Sequence, residues 1–310
     1  SASVVFDSLG FKDNGDGTVT VLMPEMVPIS MAFPPPVDGA GPSSLKATVL
    51  QPGATILAGG SATETSYEFI TPTSTVRLDE ILDASGAPLD TKAEMTLTEA
   101  SGKYVVAVAD GATALDSAFA AKSMVVTIEG EDPEGTGRGK AVLSFADMAM
   151  DMKGNILGPD VMANMAVALN SGFTMDMGIT FGTTSIAVEA MEAAGPVKMA
   201  LDATGGSIRM ALDKQRLDYG IGLTGSKLVL AGPDIPFPQV EIGLGEFGFH
   251  ILAPVSKSDA PQDFAYLTKF VDLTTSEDVW GLIDPSGTLG RDPVTFVADL
   301  KGTGFWHQDI

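Results

Sequence analysis

Three short strings in this chain imitate the spacing of known chemistry. Gly243-Leu244-Gly245-Glu246-Phe247-Gly248 matches G-x-G-x-x-G, whose dinucleotide-binding form needs a strand before it and a helix opening inside it, so that helix N–H groups face a pyrophosphate. Here apolar alternation runs straight through 240–251, so the string reads as a glycine-bent strand. Gly135-Thr136-Gly137-Arg138-Gly139-Lys140 lacks the spacing of a phosphate loop and has Ala141 where the magnesium-binding hydroxyl belongs, which leaves a polar hairpin. Asp13-Asn14-Gly15-Asp16-Gly17 resembles part of a calcium loop, but Lys12 fills the first ligand position and no Glu closes the loop, so a hairpin turn is expected.

The side chains that usually do catalysis are scarce. The only histidines are His250, on a strand opposite the phenylalanines, and His307 beside Trp306. No G-x-S-x-G elbow, H-E-x-x-H string or clustered histidine pair accompanies them. Carboxylate pairs alone can run glycosidase chemistry, yet with 40 Asp plus Glu no pair stands out from a solvated acidic face. Methionine is the unusual residue: Met148, Met150 and Met152 share one strand face, Met175 and Met177 another, with Met162 and Met165 between them. Thioethers bind Cu(I), but spacing by two is also what a strand face gives, and methionine fills irregular cores and apolar grooves. The reading is therefore non-enzymatic, with no metal or cofactor expected.

Composition agrees. Among 310 residues, 18 Lys plus Arg against 40 Asp plus Glu leave a net charge of −22. That charge opposes both nucleic-acid phosphates and anionic membrane surfaces. The absence of Cys removes disulfide frameworks, thiolate metal sites and cysteine nucleophiles, and is silent about compartment. A hydrophobic fraction of 45% is too high for a disordered chain. No stretch reaches the roughly 20 apolar residues of a spanning helix, so no transmembrane segment is expected.

Period-two alternation dominates the elements. Val197, Met199 and Leu201; Ile208, Met210 and Leu212; Tyr219, Ile221 and Leu223; Val240, Ile242 and Leu244; and Phe247, Phe249 and Ile251 each put apolar side chains on one face. Turn strings such as Asn14-Gly15-Asp16-Gly17, Ala84-Ser85-Gly86, Ala100-Ser101-Gly102 and Thr204-Gly205-Gly206 separate the runs. The result is a mainly β fold: a long curved antiparallel meander, an open half-barrel or groove, with a few short helices, in one elongated domain over 1–310. Gly, Ala, Thr and Ser on the second face predict a pale, weakly solvated outer surface. Glycines at 220, 222, 243, 245 and 248 permit sharp coiling. Helices are expected over 159–171, from the start Asp259-Ala260-Pro261-Gln262 through Val271, from Ser276 to Ile283, and over 112–122. Pro34-Pro35-Pro36 marks an irregular excursion.

Several strings carry a resemblance. Ile235-Pro236-Phe237-Pro238, the run from Ala253-Pro254-Val255 to Gln262-Asp263-Phe264, Val279-Trp280-Gly281-Leu282-Ile283-Asp284-Pro285 and Leu289-Gly290-Arg291-Asp292-Pro293 resemble a family of alphaproteobacterial envelope proteins of unknown function found in Rhodobacter-type bacteria. Asn14-Gly15-Asp16-Gly17-Thr18-Val19 and Gln51-Pro52-Gly53 fit the same pattern, and the family is more distantly similar to the YdgA and AsmA-like envelope proteins. The resemblance implies a precursor with a signal peptide, a periplasmic location, and a longer mature protein with strands on both sides of this chain, Ile310 being a truncation. It brings no catalytic residues. The AsmA-like relatives are similar to open β-grooves that shield lipid acyl chains.

The expectation is a non-enzymatic periplasmic protein whose concave apolar face binds or conducts lipid or another hydrophobic ligand in envelope maintenance. Its lining is expected from Met199, Leu201, Met210, Leu212, Ile221, Leu223, Ile242, Leu244, Phe247 and Phe249. The alternative is a structural or interaction module with an ordinary packed β core, no ligand, and an envelope protein partner paired to a strand edge.

Overall fold

A computed structural model describes residues 2–6, 8–33, 42–109, 112–131 and 137–307; the Pro34-Pro35-Pro36 excursion and most of the loop leading to Arg138 lie outside them. The chain is 72% strand and 6% helix, in one large antiparallel sheet. Short strands come first: β1 (Ala2–Val4), β2 (Gly10–Asp13), β3 (Val19–Leu22), β4 (Met26–Ala32), β5 (Pro42–Leu50) and β6 (Thr55–Gly60). Four long ones follow, β7 (Glu64–Asp83), β8 (Thr91–Ala109), β9 (Ala112–Glu131) and β10 (Arg138–Ile156). After α1 (Pro159–Met162) and α2 (Met165–Asn170) come β11 (Thr174–Phe181), β12 (Thr184–Glu192), β13 (Gly195–Ala203) and β14 (Gly205–Leu212). The chain ends with β15 (Arg216–Ala231), β16 (Val240–Pro254), β17 (Ser258–Thr275), α3 (Glu277–Ile283) and β18 (Val294–Trp306).

Each long strand pairs with the next, and the shorter ones work as halves of a long strand. β11 and β12 lie end to end along β10 in one unbroken register, β14 and β13 do the same along β15, and β5 and β6 share β7. The breaks fall on a common line. Residues 182–183 and Thr204 separate the half-strands there, and inside the long strands Glu99, Asp147, Gly225 and Asp272 take left-handed φ values of 48°, 48°, 56° and 53°. One residue in that conformation adds an unpaired step, bends the strand and shifts the alternation to the other parity. The apolar face accordingly steps by three from Leu97 to Ala100, Ala121 to Met124, Phe145 to Met148 and Leu244 to Phe247. Because neighbouring strands take the step at the same level, their registers continue through it unshifted. The sheet thus has a seam running across it from strand to strand.

Exposure shows which way the sheet folds along that seam. The small residues beside it on the apolar face are buried, Ala100 and Ala121 at 3%, Ala203 at 4% and Thr184 at 7%, whereas the opposite face carries exposed Glu99, Lys122, Asp147 and Asp272. Two walls shield what lies inside a bend and cannot shield what lies outside it, and this burial is the pattern of a fold along the seam with the apolar face inside. The molecule is a trough with a Leu201 wall and a Phe249 wall meeting at the seam. Its accessible area is 18325 Å², against the ~12,000 Å² that size scaling gives a compact 32.0 kDa monomer. The excess follows from a single layer of sheet with little to cover it.

Four expectations are corrected, the first being that Ala100-Ser101-Gly102, expected as a turn, runs through the interior of β8, paired on both sides. The segment expected as a helix from Asp259 is strand β17: Phe264, Leu267 and Val271 fit a helical stripe, but Phe264, Tyr266, Thr268 and Phe270 fit a strand face equally, and the β16 ladder decides between them. Pro261, which would interrupt a regular ladder, sits where the pairing with β18 shifts register between Ser258 and Gln262. The alanine-rich 112–122 stretch is strand because β8 and β10 pair with it on both sides. The outer face is not pale. Cross-strand ion pairs stud it, among them Lys103–Glu68 at 2.7 Å, Lys140–Glu129 at 2.8 Å and Lys153–Asp116 at 3.1 Å. The remaining helical expectations hold in outline, the first as two short helices broken around Asn164, the last as α3.

Candidate functional site: an apolar trough

Strand registers turn the separate apolar runs into continuous stripes. On one wall Val76, Met95, Val126, Leu143, Ile186, Leu201, Leu228 and Ile242 stand opposite one another in successive strands from β7 to β16. With strands about 4.8 Å apart, this stripe runs on the order of 30 Å. On the other wall Phe119, Met150, Ile179, Ile208, Ile221 and Phe249 form a parallel stripe. Aromatic contacts reinforce the second wall, with Phe249 edge-on to Tyr219 and Tyr266 at ring separations of 6.3 and 5.8 Å, and Phe247 at 5.4 Å from Phe270.

All ten side chains expected to line a groove share this inner face. Met199, Leu201, Ile242 and Leu244 belong to the Leu201 wall, and Met210, Leu212, Ile221, Leu223, Phe247 and Phe249 to the Phe249 wall. Each is half-buried and none is fully buried, which is what packing against lateral neighbours without an opposing layer produces. Much of the lining was missed from sequence, notably Val126, Leu143, Met150, Ile179 and Ile186. Their signal was the same alternation read across β9, β10, β11 and β12.

A cover exists in one corner. The 157–173 connection between β10 and β11 folds its two helices onto the end of the Phe249 wall, where Ala168 (0%), Leu169 (6%), Phe173 (8%) and Val255 (7%) form a buried cluster packed on Met175, Leu212 and Leu217. Asn164 caps α2 by accepting a hydrogen bond from the Val167 N–H at 3.2 Å. Leu212 is therefore partly beneath the helices, at the boundary between covered and open lining.

The remaining candidates fall outside the trough or into its wall. Met152, Met177 and Met210 stand side by side in one stripe that continues into Tyr219, so methionine contributes a deformable apolar lining. His250 shares a 2.9 Å hydrogen bond with Asp218 on the outer face, and 243–248 is uninterrupted strand. The Asp13–Gly17 string is the β2–β3 turn, with Asp13 and Asp16 accepting hydrogen bonds from the Gly15 and Thr18 N–H groups. Among the described residues no group of His, Cys, Asp or Glu is arranged to hold a metal ion, and no helix is long and apolar enough to cross a membrane.

Asp284 organises the loop after α3. Its carboxylate accepts from the Leu289 N–H at 2.7 Å, Thr288 Oγ1 at 3.0 Å, Ser286 Oγ at 3.1 Å and Arg291 Nη1 at 3.1 Å. The backbone hydrogen bond from Leu289, with those from Thr288 and Arg291, holds the acid well below the usual carboxylate range against the opposing cost of desolvation. Arg291 also lies 5.1 Å over the Trp280 ring and pairs with Glu277. These contacts give the 279–285 and 289–293 strings a structural role as the clasp that leads into β18.

The fold and lining together define an open antiparallel β-trough. No family model matches the sequence, and neither a curated protein nor a solved structure matches it.

Proposed function

We propose that this chain is a non-enzymatic periplasmic β-groove protein whose trough binds or conducts lipid, through its acyl chains, in envelope maintenance. The observation that carries the reading is the pair of apolar stripes that run from strand to strand, half-exposed, with the α1–α2 corner the one part covered among the described residues. Half-exposed side chains of this size lose substantial water contact when an apolar ligand lies on them, at roughly 25 cal/mol per Å² removed. The alternative of an ordinary packed core requires an opposing layer, and among the described residues the open stretch has none. The periplasmic placement rests on the family resemblance alone.

Native mass spectrometry of detergent-free protein, with organic extraction of the same sample, tests this. Copurifying phospholipid released on denaturation is the expected result. Ile221→Asp, which places a carboxylate in the middle of the Phe249 wall, should reduce lipid occupancy on the order of tenfold or more while leaving the far-UV circular dichroism unchanged. A clean apo mass that persists after incubation with envelope phospholipid vesicles would overturn the proposal.

A further inference from the structure

One row of the trough lining differs in chemistry from the rest. Met152 of β10 stands opposite Met177 of β11, and Met177 stands opposite Met210 of β14, so three thioether side chains occupy adjacent places on the inner face. Met150 and Met175 follow two residues away on the same face of β10 and β11, which makes Met177 the centre of a group of five. Among the described residues no other register sets methionines side by side in three successive strands. Spacing within each strand, from which no metal is expected, leaves these residues in separate sets; the β10–β11 and β11–β14 ladders are what unite them.

The row can gather its sulfurs around one ion. Side chains directly opposite in neighbouring strands have Cβ atoms about 4.5–5.5 Å apart, and methionine spans such a gap with three rotatable bonds. Ser117 faces Met152 and Gly154 faces Met175, small neighbours that leave the thioethers room to turn. All five methionines are half-buried, so the row is open to solvent ions. Met175 packs, with Met162 of α1, on the buried Leu169–Phe173 cluster, which gives the row a dry apolar flank on the side away from the seam. No carboxylate or imidazole shares this face of β10, β11 or β14, so the donors are sulfur alone.

We infer that Met152, Met177 and Met210 form a binding site for a soft monovalent cation, Cu(I) or its analogue Ag(I), held by three thioether sulfurs. Thioethers are soft donors that select Cu(I), whereas carboxylate, carbonyl and water ligands suit magnesium and calcium. Neutral donors leave the single charge of the ion uncancelled, which a chain of net charge −22 accommodates. A divalent ion would keep twice that charge beside an apolar lining, at a greater desolvation cost. Binding involves no electron transfer, and a thioether has no proton to lose, so the site needs no deprotonation of the kind that thiol and imidazole ligands undergo. The inference stands independently of whether the rest of the trough carries lipid.

Anaerobic titration of the detergent-free chain with Cu(I) against a chromophoric Cu(I) chelator, and with Ag(I) followed by native mass spectrometry, should show one tightly held ion per chain. Zn(II) should not be retained. Copper X-ray absorption should show sulfur neighbours alone, and the affinity should stay constant between about pH 5 and 7. Met177→Leu, which keeps the volume and apolarity of the lining, should weaken binding on the order of tenfold or more, and Met152→Leu, Met177→Leu and Met210→Leu together should abolish it. Met191→Leu, at a methionine 57% exposed and outside the row, should bind as the unsubstituted chain does. No retained ion, equal weakening by Met177→Leu and Met191→Leu, or nitrogen and oxygen neighbours in the absorption spectrum would overturn the inference. Circular dichroism of each variant separates loss of the site from loss of the fold.

Discussion

The corner beneath α1–α2 and the open stretch of the same wall are written in one sequence pattern and end in different states. Met175, Leu212 and Leu217 continue the alternation of Ile179, Ile208 and Ile221, two lateral stripes further from the seam. Over the first three a folded connection supplies Leu169 and Phe173 at 6% and 8% exposure; over the second three, among the described residues, nothing is laid, and they stay half-exposed. The difference teaches that alternation specifies a face, while burial depends on what is folded over it. In a single-layer sheet each strand touches mainly its two neighbours, as in a solenoid, so the corner is the exception where contacts reach beyond the ladder.

The largest expected effect breaks that comparison directly. Phe173→Ala removes a ring from the covered cluster and should cost about 3 kcal/mol or more. Phe249→Ala removes a half-exposed ring from the open wall and should cost about 1 kcal/mol, because the wild-type side chain already contacts water. Urea midpoints at unchanged slope give both values, and hydrogen exchange should show the Phe173→Ala loss concentrated in β11, β14 and the start of β15. Equal costs would mean that the open wall is covered in solution.

A third ordered region sharpens the contrast, since the loop after α3 is held by a carboxylate. Asp284 is depressed from its ordinary 3.8 in the folded chain. A group of this kind stabilises fully above its unfolded pKa and loses that contribution as pH falls through the lower folded value. The clasp should therefore survive the pH range in which exposed carboxylates titrate and open only in stronger acid. In a Trp306→Phe background, Trp280 fluorescence, sensitive to the Arg291 guanidinium 5.1 Å above the ring, should stay flat through pH 4 and change below it. Asp284→Asn should abolish the transition and leave the loop loosened at neutral pH. A midpoint near 4 would show that the hydrogen bonds to Asp284 do not hold the acid ionised.

How legible the trough was depends on which physical signal is considered. The strands and their apolar face could be read from residues such as Met199, Leu201, Ile221 and Phe249, because a period of two is local. The seam was also written locally, as steps of three from Ala121 to Met124, Phe145 to Met148 and Leu244 to Phe247, but its meaning lies in their alignment across strands, which only the pairing reveals. The glycines at 225 and 245 fall on that line, whereas Glu99, Asp147 and Asp272 carry no sequence mark of a left-handed conformation. The misread helices failed for a tertiary reason: Phe264 to Val271 satisfies both periods, and the ladders on either side of β9 and β17 override local preference. The outer ion pairs, such as Lys153–Asp116, join residues far apart in sequence and could not be anticipated without register.

The smallest expected effects concern the seam itself. Glu99 holds a left-handed φ of 48°, which costs a side chain with a Cβ roughly 1 kcal/mol relative to glycine. Its carboxylate is exposed on the convex side and its backbone supplies the extra step that lets β8 bend. Glu99→Gly should thus keep the bend and raise stability by about 0.5–1 kcal/mol. Gly225 occupies the equivalent place in β15 at φ 56°, and a Cβ there would come within 2.5 Å of the Thr204 hydroxyl, so Gly225→Ala should lower stability by a similar or larger amount. Opposite signs at two aligned positions would show that the seam is a backbone device, set by conformation and indifferent to the side chain that happens to occupy it. If Glu99→Gly destabilised the chain instead, the glutamate would have to be holding the bend through its own contacts, and the seam would be a set of separate local solutions.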